Sequence, residues 1–512
     1  MGSVCGKHQD SLANPRANRR LFGRADFIAV ITDRDIKEDY TMERHLGAGS
    51  FAQVKLAVNK RTGVREVVKR IPIGLGDKEL EEMIQNEIQS LIQCDHPNII
   101  GIRCAYKEPR VIHLVEEYIP NCQTITTLFE NTKSKFSEEL RHVVVTQMLH
   151  ALNYMHQNKI VHRDIKSDNV VYSDSCPGTQ MDPSKLEIKL IDFGFSKVST
   201  TTNNTLNEFI GTPYYIAPEI IEQEYYGAPC DIWSLGVLTY QMICGELPFE
   251  ASSKAELFKK ITQGRFAYKQ NIWAYVSAEC RQFITACLTL AQYERPTAAQ
   301  LLKHPWITSK VDDKAAKQAS EEFCEQISSS LHNIRKTNSM QWTIISYMTS
   351  LNLIQSDMGL LRKEFEGIDA DGNGKLSFDE IKKVLGTKLT IDQCEQVENV
   401  LKDMIDVNGS GEIDYSEFLN LTTHRQQLLS RDNLKKAFDK IDIDSNGVVC
   451  VSELRKAFEA GGGSIRSEKF WQQVIAAIDL NNDNQIQFEE FVKYMENVSQ
   501  KEDGELDSFV MA

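Results

Sequence analysis

A twelve-residue pattern that occurs four times in the last third of the chain constrains its fold most. The four segments begin at Asp369, Asp406, Asp442 and Asp479, at spacings of 37, 36 and 37 residues. Side chains that carry oxygen occupy positions 1, 3 and 5, and glutamate occupies position 12: Asp369, Asp371, Asn373 and Glu380; Asp406, Asn408, Ser410 and Glu417; Asp442, Asp444, Asn446 and Glu453; Asp479, Asn481, Asp483 and Glu490. Position 7, where the backbone carbonyl is the expected ligand, is filled by Lys375, Glu412, Val448 and Gln485. This spacing suits a hard divalent cation that takes about six to eight oxygen ligands, with the closing glutamate binding through both oxygens.

The sixth position of each segment must allow a sharp turn. Gly374, Gly411 and Gly447 satisfy this without strain, and Asn484 in the fourth segment tolerates the left-handed conformation less readily. An apolar residue at position 8 of every segment predicts that the loops pair through a short strand contact. The loops resemble EF-hands, and four of them in two pairs resemble a calmodulin-type calcium sensor. We therefore expect calcium as a ligand.

The distribution of charge supports cation binding. Residues 351–512 contain 31 acidic and 18 basic side chains, whereas the first 350 residues contain 41 and 40, so the calcium-binding third carries nearly all of the net charge of −14. This balance argues against nucleic acid as a partner. The 12 cysteines lack zinc-type spacing, which predicts reduced thiols in the cytoplasm, and no apolar run approaches the roughly 20 residues of a membrane span.

A second set of motifs precedes the calcium loops. Around residues 40–70 the pattern predicts strand, glycine turn and strand, and the turn would hold phosphates with Leu46, Gly47, Ala48, Gly49, Ser50, Phe51 and Val54. Lys69 lies on a β-branched strand from which it reaches the α- and β-phosphates of a nucleotide, and Glu87 on the following helix is placed to pair with it. The glycine turn alone is weak evidence for nucleotide binding, because a plain hairpin would show the same pattern.

Residues 162–169 read His-Arg-Asp-Ile-Lys-Ser-Asp-Asn, and Asp192-Phe193-Gly194 follows a strand-like run. Phosphoryl transfer needs positioned oxygens, metal ions and a carboxylate near the attacking hydroxyl. Asp164 would supply that carboxylate, Lys166 would neutralise the transferring group, and Asn169 and Asp192 would hold magnesium. With Arg295 placed to pair with Glu219, the set resembles the signature of eukaryotic protein kinases.

A kinase, a helical junction and four EF-hands on one chain resemble the calcium-dependent protein kinases of plants and of alveolate protists, including apicomplexan parasites. The resemblance implies an α+β bilobal kinase fold followed by an all-α calmodulin-like module of two EF-hand pairs. It implies ATP, Mg2+ and Ca2+ as cofactors and protein substrates. Lys166 and Thr212 indicate Ser or Thr acceptors. The expected boundaries are an N-terminal extension at 1–39, kinase domain at 40–306, junction at 307–357, EF-hand pairs at 358–425 and 426–500, and an acidic tail at 501–512.

The nucleotide pocket departs from this family at the hinge, Glu116-Glu117-Tyr118. Aligned on Glu117 and Tyr118, the usually apolar position at the back of the pocket is Glu116, and a buried carboxylate must be paired or protonated. A shift of the alignment by one residue would instead leave Glu116 harmlessly exposed. Gln241 also stands where relatives that prefer basic substrates often have Glu, although Asp168 keeps one acidic contact.

The junction predicts how calcium controls the kinase. Apolar residues recur at helical spacing, including Ile344, Ile345 and Met348, and Arg335 and Lys336 precede them. A basic amphipathic helix beside a calmodulin-like module is typical of its intramolecular target, whereas the same pattern also fits a scaffold helix packed on the kinase. One hypothesis is that this segment is a plug, which covers the substrate face of the kinase at low calcium. The other is that the calcium-loaded sensor binds the kinase domain and stabilises its active form.

Three further expectations concern function and location. Gly2 and Cys5 would accept myristate and palmitate, which predicts peripheral association with membranes, and an unmodified tail is the alternative. We expect the enzyme itself to be a cytoplasmic monomer. A calcium-binding scaffold with an inactive kinase fold would require loss of Lys69, Asp164 or Asp192, all of which are present. A kinase that requires added calmodulin, with EF-hands of minor effect, is the other alternative.

Overall fold

The computed structural model describes residues 22–48, 52–74, 78–127, 137–173, 182–198, 210–268, 273–274, 276–309, 339–351, 358–386, 390–406, 409–422, 428–461 and 466–499. Several predictions therefore fall outside the described residues: acylation at Gly2 and Cys5, phosphate contacts of Gly49, Ser50 and Phe51, the calcium ligand Asn408, residues 310–338 and 352–357 of the junction, and the acidic tail.

The first lobe is a six-stranded sheet with one long helix. The strands are β1 (Ala29–Ile31), β2 (Tyr40–Ala48), β3 (Gln53–Asn59), β4 (Arg65–Pro72), β5 (Ile102–Glu108) and β6 (Val111–Glu117), in the order β1-β5-β6-β4-β3-β2. The helix at Lys78–Gln93 buries Ile84, Ile88 and Leu91. Strand β1 lies in the segment that the sequence analysis assigned to the N-terminal extension. The sequence did not predict this strand, because three residues show no periodicity and its partner β5 lies more than 70 residues away.

The second lobe is mostly helical. Its helices are Glu138–Gln157, Pro218–Ile221, Pro229–Cys244, Lys254–Thr262, Ala278–Cys287, Ala298–Leu302 and Pro305–Thr308. Short strands complete it: β7 (Cys122–Thr124), β8 (Ile160–Val161), β9 (Val170–Ser173), β10 (Glu187–Leu190) and β11 (Lys197–Val198). Its core is built on the helices Glu138–Gln157 and Pro229–Cys244, which bury residues such as Leu152 and Trp233. Residues 162–169 and Asp192, which the sequence predicts to act in phosphoryl transfer, lie on the loops between the short strands, so a rigid core fixes their positions.

The C-terminal module, which we call the sensor, consists of helices that flank the calcium loops. Its helices are Met358–Ile368, Phe378–Leu385, Ile391–Val400, Tyr415–Thr422, Arg431–Ile441, Val451–Phe458, Glu468–Ile478 and Phe488–Ser499, with a π-helical turn at Leu401–Ile405. The strands β12 (Leu376–Ser377) and β13 (Glu412–Ile413) pair, as do β14 (Val448–Val449) and β15 (Ile486–Gln487). The predicted pairing of loops at position 8 is confirmed, since Leu376 faces Ile413 and Val449 faces Ile486.

The described part of the junction includes the helix Ser339–Ser350, which we call the junction helix. Ile344, Ile345 and Met348 are buried in the same core as the sensor helices. The helix contacts Tyr415–Thr422 of the first EF-hand pair and Arg431–Ile441 of the second. It therefore belongs physically to the sensor. Within the described part of the chain, no helix is both long enough and apolar enough to cross a membrane.

Candidate active site and calcium sites

A half-buried lysine, Lys69, joins the two lobes at the cleft. The Nζ of Lys69 on β4 is 2.6 Å from Glu87 Oε1 and 2.6 Å from Asp192 Oδ1. Burial opposes the charge on Lys69, but Glu87 and Asp192 outweigh it and raise the pKa of the lysine. Lys69 therefore stays cationic at physiological pH, as phosphate binding requires. The sequence predicted the pairing with Glu87, and this geometry confirms it.

Two side chains of the catalytic loop and one from the segment before the helix Pro218–Ile221 hold the carboxylate of Asp164. Lys166 Nζ donates to Asp164 Oδ2 at 2.6 Å, Thr212 Oγ1 donates to Oδ1 at 2.7 Å, and Asn169 Nδ2 donates to Oδ2 at 3.0 Å. Asp164 is 3% exposed. A carboxylate fixed in one orientation can accept the proton of an incoming hydroxyl without first reorganising. The structure thus brings together Asp164, Lys166 and Asn169, which the sequence named separately.

A carboxylate that the sequence analysis did not interpret secures the backbone of this loop. Asp231, at the start of the helix Pro229–Cys244, accepts hydrogen bonds from the backbone N–H groups of His162 and Arg163, and His156 Nε2 lies 2.9 Å from it. Burial opposes ionisation, but His156 and His162 lower the pKa of Asp231. Arg163 has a φ of 69°, a conformation that costs energy in a non-glycine residue and that these contacts sustain.

The nucleotide pocket contains hard oxygen donors that fit magnesium. Asp192 offers a carboxylate and Asn169 an amide oxygen, both donor types that this ion prefers. Burial opposes the charge on Asp192, yet Lys69 lowers its pKa, so it remains an anion. Leu46 and Gly47 at the end of β2, and Val54 at the start of β3, border the glycine turn. Bound magnesium would supply positive charge against the phosphate oxygens.

The three hinge residues Glu116, Glu117 and Tyr118 lie at and just after the end of β6. Glu117 accepts a hydrogen bond from the backbone N–H of Gly101 at 2.9 Å and lies 2.7 Å from Lys189, and Tyr118 is half-buried beside it. Glu116 is 8% exposed on β6, opposite Val67 of β4. Burial raises the pKa of Glu116 to about 8, against the attraction of Lys69. The structure thus buries Glu116 next to the Lys69 network, which excludes the exposed alternative.

We expect Glu116 to limit what binds behind the adenine. Glu116→Gly should sensitise the kinase to adenine-competitive compounds with bulky substituents at that position by roughly tenfold or more, because it removes a buried polar group and opens space. Inhibition curves measured at equal ATP saturation would test this, with Glu117→Gln as the neighbouring control. Unchanged inhibition would show that Glu116 does not border the pocket.

The residues expected to select substrates are occupied by internal contacts. Thr126 Oγ1 donates to Asp168 Oδ1 at 2.8 Å, and the hydroxyl of Tyr215 donates to Gln241 Oε1. Asp168 remains the acidic group near the catalytic loop, whereas Gln241 contributes no charge. A preference for basic residues before the acceptor therefore stays an open prediction.

Loops one and three gather their carboxylates as a cation site does. Oxygen atoms of Asp369, Asp371 and Glu380 lie within 4.8 Å of one another, and those of Asp442, Asp444 and Glu453 do the same. Burial together with Glu380 and Asp371 raises the pKa of Asp369 to about 8. Such like charges at close range are stable only when protonated or bound to a cation, so the donor set fits calcium.

Loops two and four lack such a cluster of three carboxylates within the described structure. Loop two offers Asp406 and Glu417 as carboxylates, and its third-position ligand lies outside the described residues. In loop four, Asp483 accepts hydrogen bonds from Gln485 N and Gln487 Nε2, and its carboxylate is not gathered with those of Asp479 and Glu490 within the described structure. The fourth turn still forms, because Asn484 adopts a φ of 62°.

We expect the four calcium sites to differ in affinity. Glu380→Gln and Glu453→Gln should each remove a tight site, and Glu417→Gln and Glu490→Gln a weaker one, since ligand charge and rigidity change affinity by roughly tenfold or more. Calorimetric calcium titrations of the four variants would separate these cases. Equal losses in all four would contradict this ranking.

Comparison with known proteins agrees with both sites. The protein kinase domain family matches residues 40–307, and the EF-hand domain pair family matches residues 360–423 and 431–496. The chain is 32% identical over 509 residues to calcium-dependent protein kinase 5 of Plasmodium falciparum (isolate 3D7), covering 96% of this chain and 84% of that protein.

Two plant proteins are also similar along most of their length. The identity to calcium-dependent protein kinase 33 of Arabidopsis thaliana is 29% over 471 residues, covering 90% of this chain and 85% of that protein. The identity to calcium-dependent protein kinase 19 of the same plant is 29% over 482 residues, covering 92% of this chain and 83% of that protein. The similarity thus includes the catalytic half, the junction and the calcium loops.

Proposed function

We propose that the sensor activates the catalytic domain by contacting both lobes and stabilising their active arrangement, an interaction that we call the brace. The chain belongs to the calcium-dependent protein kinases and is a calcium-activated serine/threonine kinase. The fold and the cofactors ATP, Mg2+ and Ca2+ follow from the family.

Transfer itself depends on residues that the structure holds in place. Asp164 orients the substrate hydroxyl and accepts its proton, and Lys166, 2.6 Å from Asp164, places positive charge beside the reacting phosphoryl group. Thr212 Oγ1 donates to Asp164 and accepts from Lys166 at 3.1 Å, so the segment before the helix Pro218–Ile221 is connected to the catalytic loop. The acceptor must enter where these three side chains meet.

The sensor contacts the helical lobe directly through calcium loop one. Asn153 Nδ2 donates to the backbone oxygen of Gly372 at 2.5 Å. A Cβ atom added at Gly374 would lie 2.7 Å from Tyr154 and 2.8 Å from His96, so only glycine permits this approach. The same loop therefore serves calcium coordination and docking, and a change in one affects the other.

The sensor contacts the sheet lobe through loop three and the junction helix. Arg61 Nη1 donates to the backbone oxygen of Asp442, the first residue of loop three, at 3.2 Å. Arg103 Nη1 donates to the backbone oxygen of Ser350, at the end of the junction helix, at 2.7 Å. The described junction helix thus lies between sensor and sheet lobe.

The segment before β1 adds a third connection. Phe22 is 1% exposed and stacks on Trp471 of the second EF-hand pair with ring centroids 5.7 Å apart. The backbone N–H of Gly461 donates to the backbone oxygen of Asp26 at 2.7 Å. Neither contact had a sequence signal, because a lone aromatic residue in a basic stretch does not indicate its partner. This segment links the sensor to the sheet of the kinase.

One contact supports the brace above the others, because it connects the sensor to the helix that carries Glu87. The backbone N–H of Ser416 in the sensor donates to Asp95 Oδ2 at 3.1 Å, two residues after the helix Lys78–Gln93 ends. The hydroxyl of Tyr154 accepts from the N–H of Asp95 at 2.9 Å. The position of this helix decides whether Glu87 reaches Lys69, so the sensor has a route to the catalytic site.

We expect Asp95→Ala to raise the calcium concentration for half-maximal activity roughly tenfold, since a hydrogen bond to a charged group contributes about 1.5 kcal/mol. Peptide phosphorylation measured against free calcium gives this value directly. Glu82→Ala is the matched control, because Glu82 is exposed on the same helix. A calcium curve for Asp95→Ala that coincides with the control curve would contradict the brace.

The remaining expectations on location are proposals that rest on sequence alone. We propose that Gly2 and Cys5 are acylated and that a monomeric, cytoplasmic enzyme binds membranes peripherally, with Cys5 or nearby arginines as the second anchor that one acyl chain needs. Incorporation of labelled myristate into the wild type but not Gly2→Ala tests the first acylation. Sedimentation equilibrium with calcium tests the monomer.

A further inference from the structure

A cavity of about 120 Å3 lies where sensor, sheet lobe and the segment before β1 meet. Tyr40 and Tyr106 of the sheet lobe, Phe27 of the preceding segment and Tyr347 of the junction helix contribute aromatic walls. A single water needs roughly 10–15 Å3, so the space is large enough for a small organic molecule. The cavity is separate from the cleft that holds Lys69 and Asp164.

The charges around this cavity are strongly one-sided. Among the described residues, six cationic side chains line it: Arg24, Arg34, Arg61, Arg103, Lys440 and Lys456. The same described lining contains two carboxylates, Asp39 and Glu66. The side chains of Arg61 and Arg103 are 18% and 14% exposed, so water screens them only in part. Shielded cations without equal counter-charge favour an anion between them.

Asp39 is already fully engaged by its neighbours. The hydroxyl of Tyr106 donates to Asp39 Oδ2 at 2.6 Å, Arg34 Nε is 2.9 Å from the same oxygen, and Arg61 Nη2 is 3.0 Å from Oδ1. Burial opposes ionisation, yet Tyr106 and the nearby cations, Lys440 among them, lower the pKa of Asp39. One negative charge is therefore shared by two arginines.

Glu66 leaves a similar excess on the other side. The hydroxyl of Tyr40 donates to Glu66 Oε2 at 2.6 Å, whereas Arg103 Nε is 3.9 Å from Oε1. Outside the cavity, Glu117 is 4.0 Å from Arg103 but pairs more closely with Lys189 at 2.7 Å. No carboxylate among the described residues is thus close enough to neutralise Arg103 fully.

The charged side chains that the described part of the sensor contributes to the cavity are both cations. The ammonium group of Lys440 lies 5.9 Å from the ring centroid of Tyr40, and Lys456 on the helix Val451–Phe458 is exposed. Each lysine has rotatable donors that can turn toward a phosphate. Anionic groups that enter here would contact residues of both the sensor and the kinase.

We propose that this cavity is a binding site for a soluble, small organic phosphate. Arginine and lysine side chains recognise the phosphate oxygens, and the aromatic walls contact the organic part. A soluble ligand fits better than a lipid head group, because three parts of the chain surround the cavity.

A ligand in this position would strengthen the contact between sensor and kinase. It would bind the docked arrangement more tightly than the undocked one and would lower the calcium concentration needed for activation. This consequence rests on the proposed brace, whereas binding of the ligand does not.

Calorimetry of the full calcium-loaded chain with fructose 1,6-bisphosphate as probe would test the site, with a non-hydrolysable ATP analogue and magnesium filling the nucleotide pocket. We expect saturable binding of one equivalent, weakened about tenfold or more by the double variant Lys440→Gln/Lys456→Gln. Lys469→Gln/Lys493→Gln removes the same charge from exposed positions of the same EF-hand pair and should bind like the wild type.

Absence of probe binding, or equal binding by both double variants, would overturn the proposal. Sedimentation with vesicles that contain phosphatidylinositol bisphosphate separates the two sources of phosphate. Vesicle binding that is lost in the cavity variant, without binding of the soluble probe, would overturn the choice of a soluble ligand. Calcium activation curves with and without the probe then report on the brace, so failure there with intact binding would count against the brace alone.

Discussion

Replacing Asp164 by Asn, or Lys69 by Met, is expected to lower phosphate transfer to a peptide by roughly two to four orders of magnitude. Asp164 is oriented by three donors, one of which is the ammonium group of Lys166. Lys69 connects Glu87 and Asp192, so its loss removes a positive charge aimed at the phosphates and frees two carboxylates from their shared partner.

The measurement must separate chemistry from folding. Calcium titrations of both variants should match the wild type, because the sensor core does not include either residue. Asp168→Asn, four residues after Asp164 on the same loop, tests whether any charge change there has the same effect. Transfer within tenfold of wild type in Asp164→Asn would refute its role as proton acceptor.

A chain that ends at Ser309 is expected to be inactive with and without calcium. It keeps the contact of His142 with the backbone oxygen of Ile307 and so the complete helical lobe, but it loses every contact of the sensor. The end of the helix Lys78–Gln93 then lacks the Ser416 contact, and Glu87 is held less firmly toward Lys69.

The energies involved are sufficient for such a switch. A hundredfold change in activity corresponds to about 2.7 kcal/mol of coupling between sensor and kinase. A fully buried aromatic or large aliphatic side chain contributes about 1.5–3 kcal/mol, so the anchor at Phe22 together with the hydrogen bonds to both lobes can supply it.

Two other outcomes of the truncation would be informative. Calcium-independent activity would show that the junction is a plug, and activity that still requires calcium would place the switch inside the kinase domain. Circular dichroism and nucleotide binding of the shortened chain must show that it is folded. Asp95→Ala in the full chain removes the Ser416 contact while the sensor stays in place, and its activity can be compared with that of the shortened chain.

The local motifs were predictable from the sequence because their chemistry is local. A calcium loop needs oxygens within twelve residues, and Asp369 and Glu380 come together through one turn and the start of one helix. Asn484 adopts the left-handed turn that the sequence suggested. The pairing of Lys69 with Glu87 joins adjacent elements whose order the kinase signature fixes. In each case residue type and spacing carry the information.

The arrangement of the two halves was decided by tertiary structure alone. Ser416 reaches Asp95 across 321 residues, and Phe22 reaches Trp471 across more than 400, through surfaces that no periodicity describes. Burial likewise settled the environment of Glu116, since strand pairing with β4 places it beside Lys69. The sequence by itself determined which reactions and ions this protein uses. Only the packing of distant surfaces determined how its sensor reaches the helix of Glu87, because contacts between distant residues depend on complementary shape and charge.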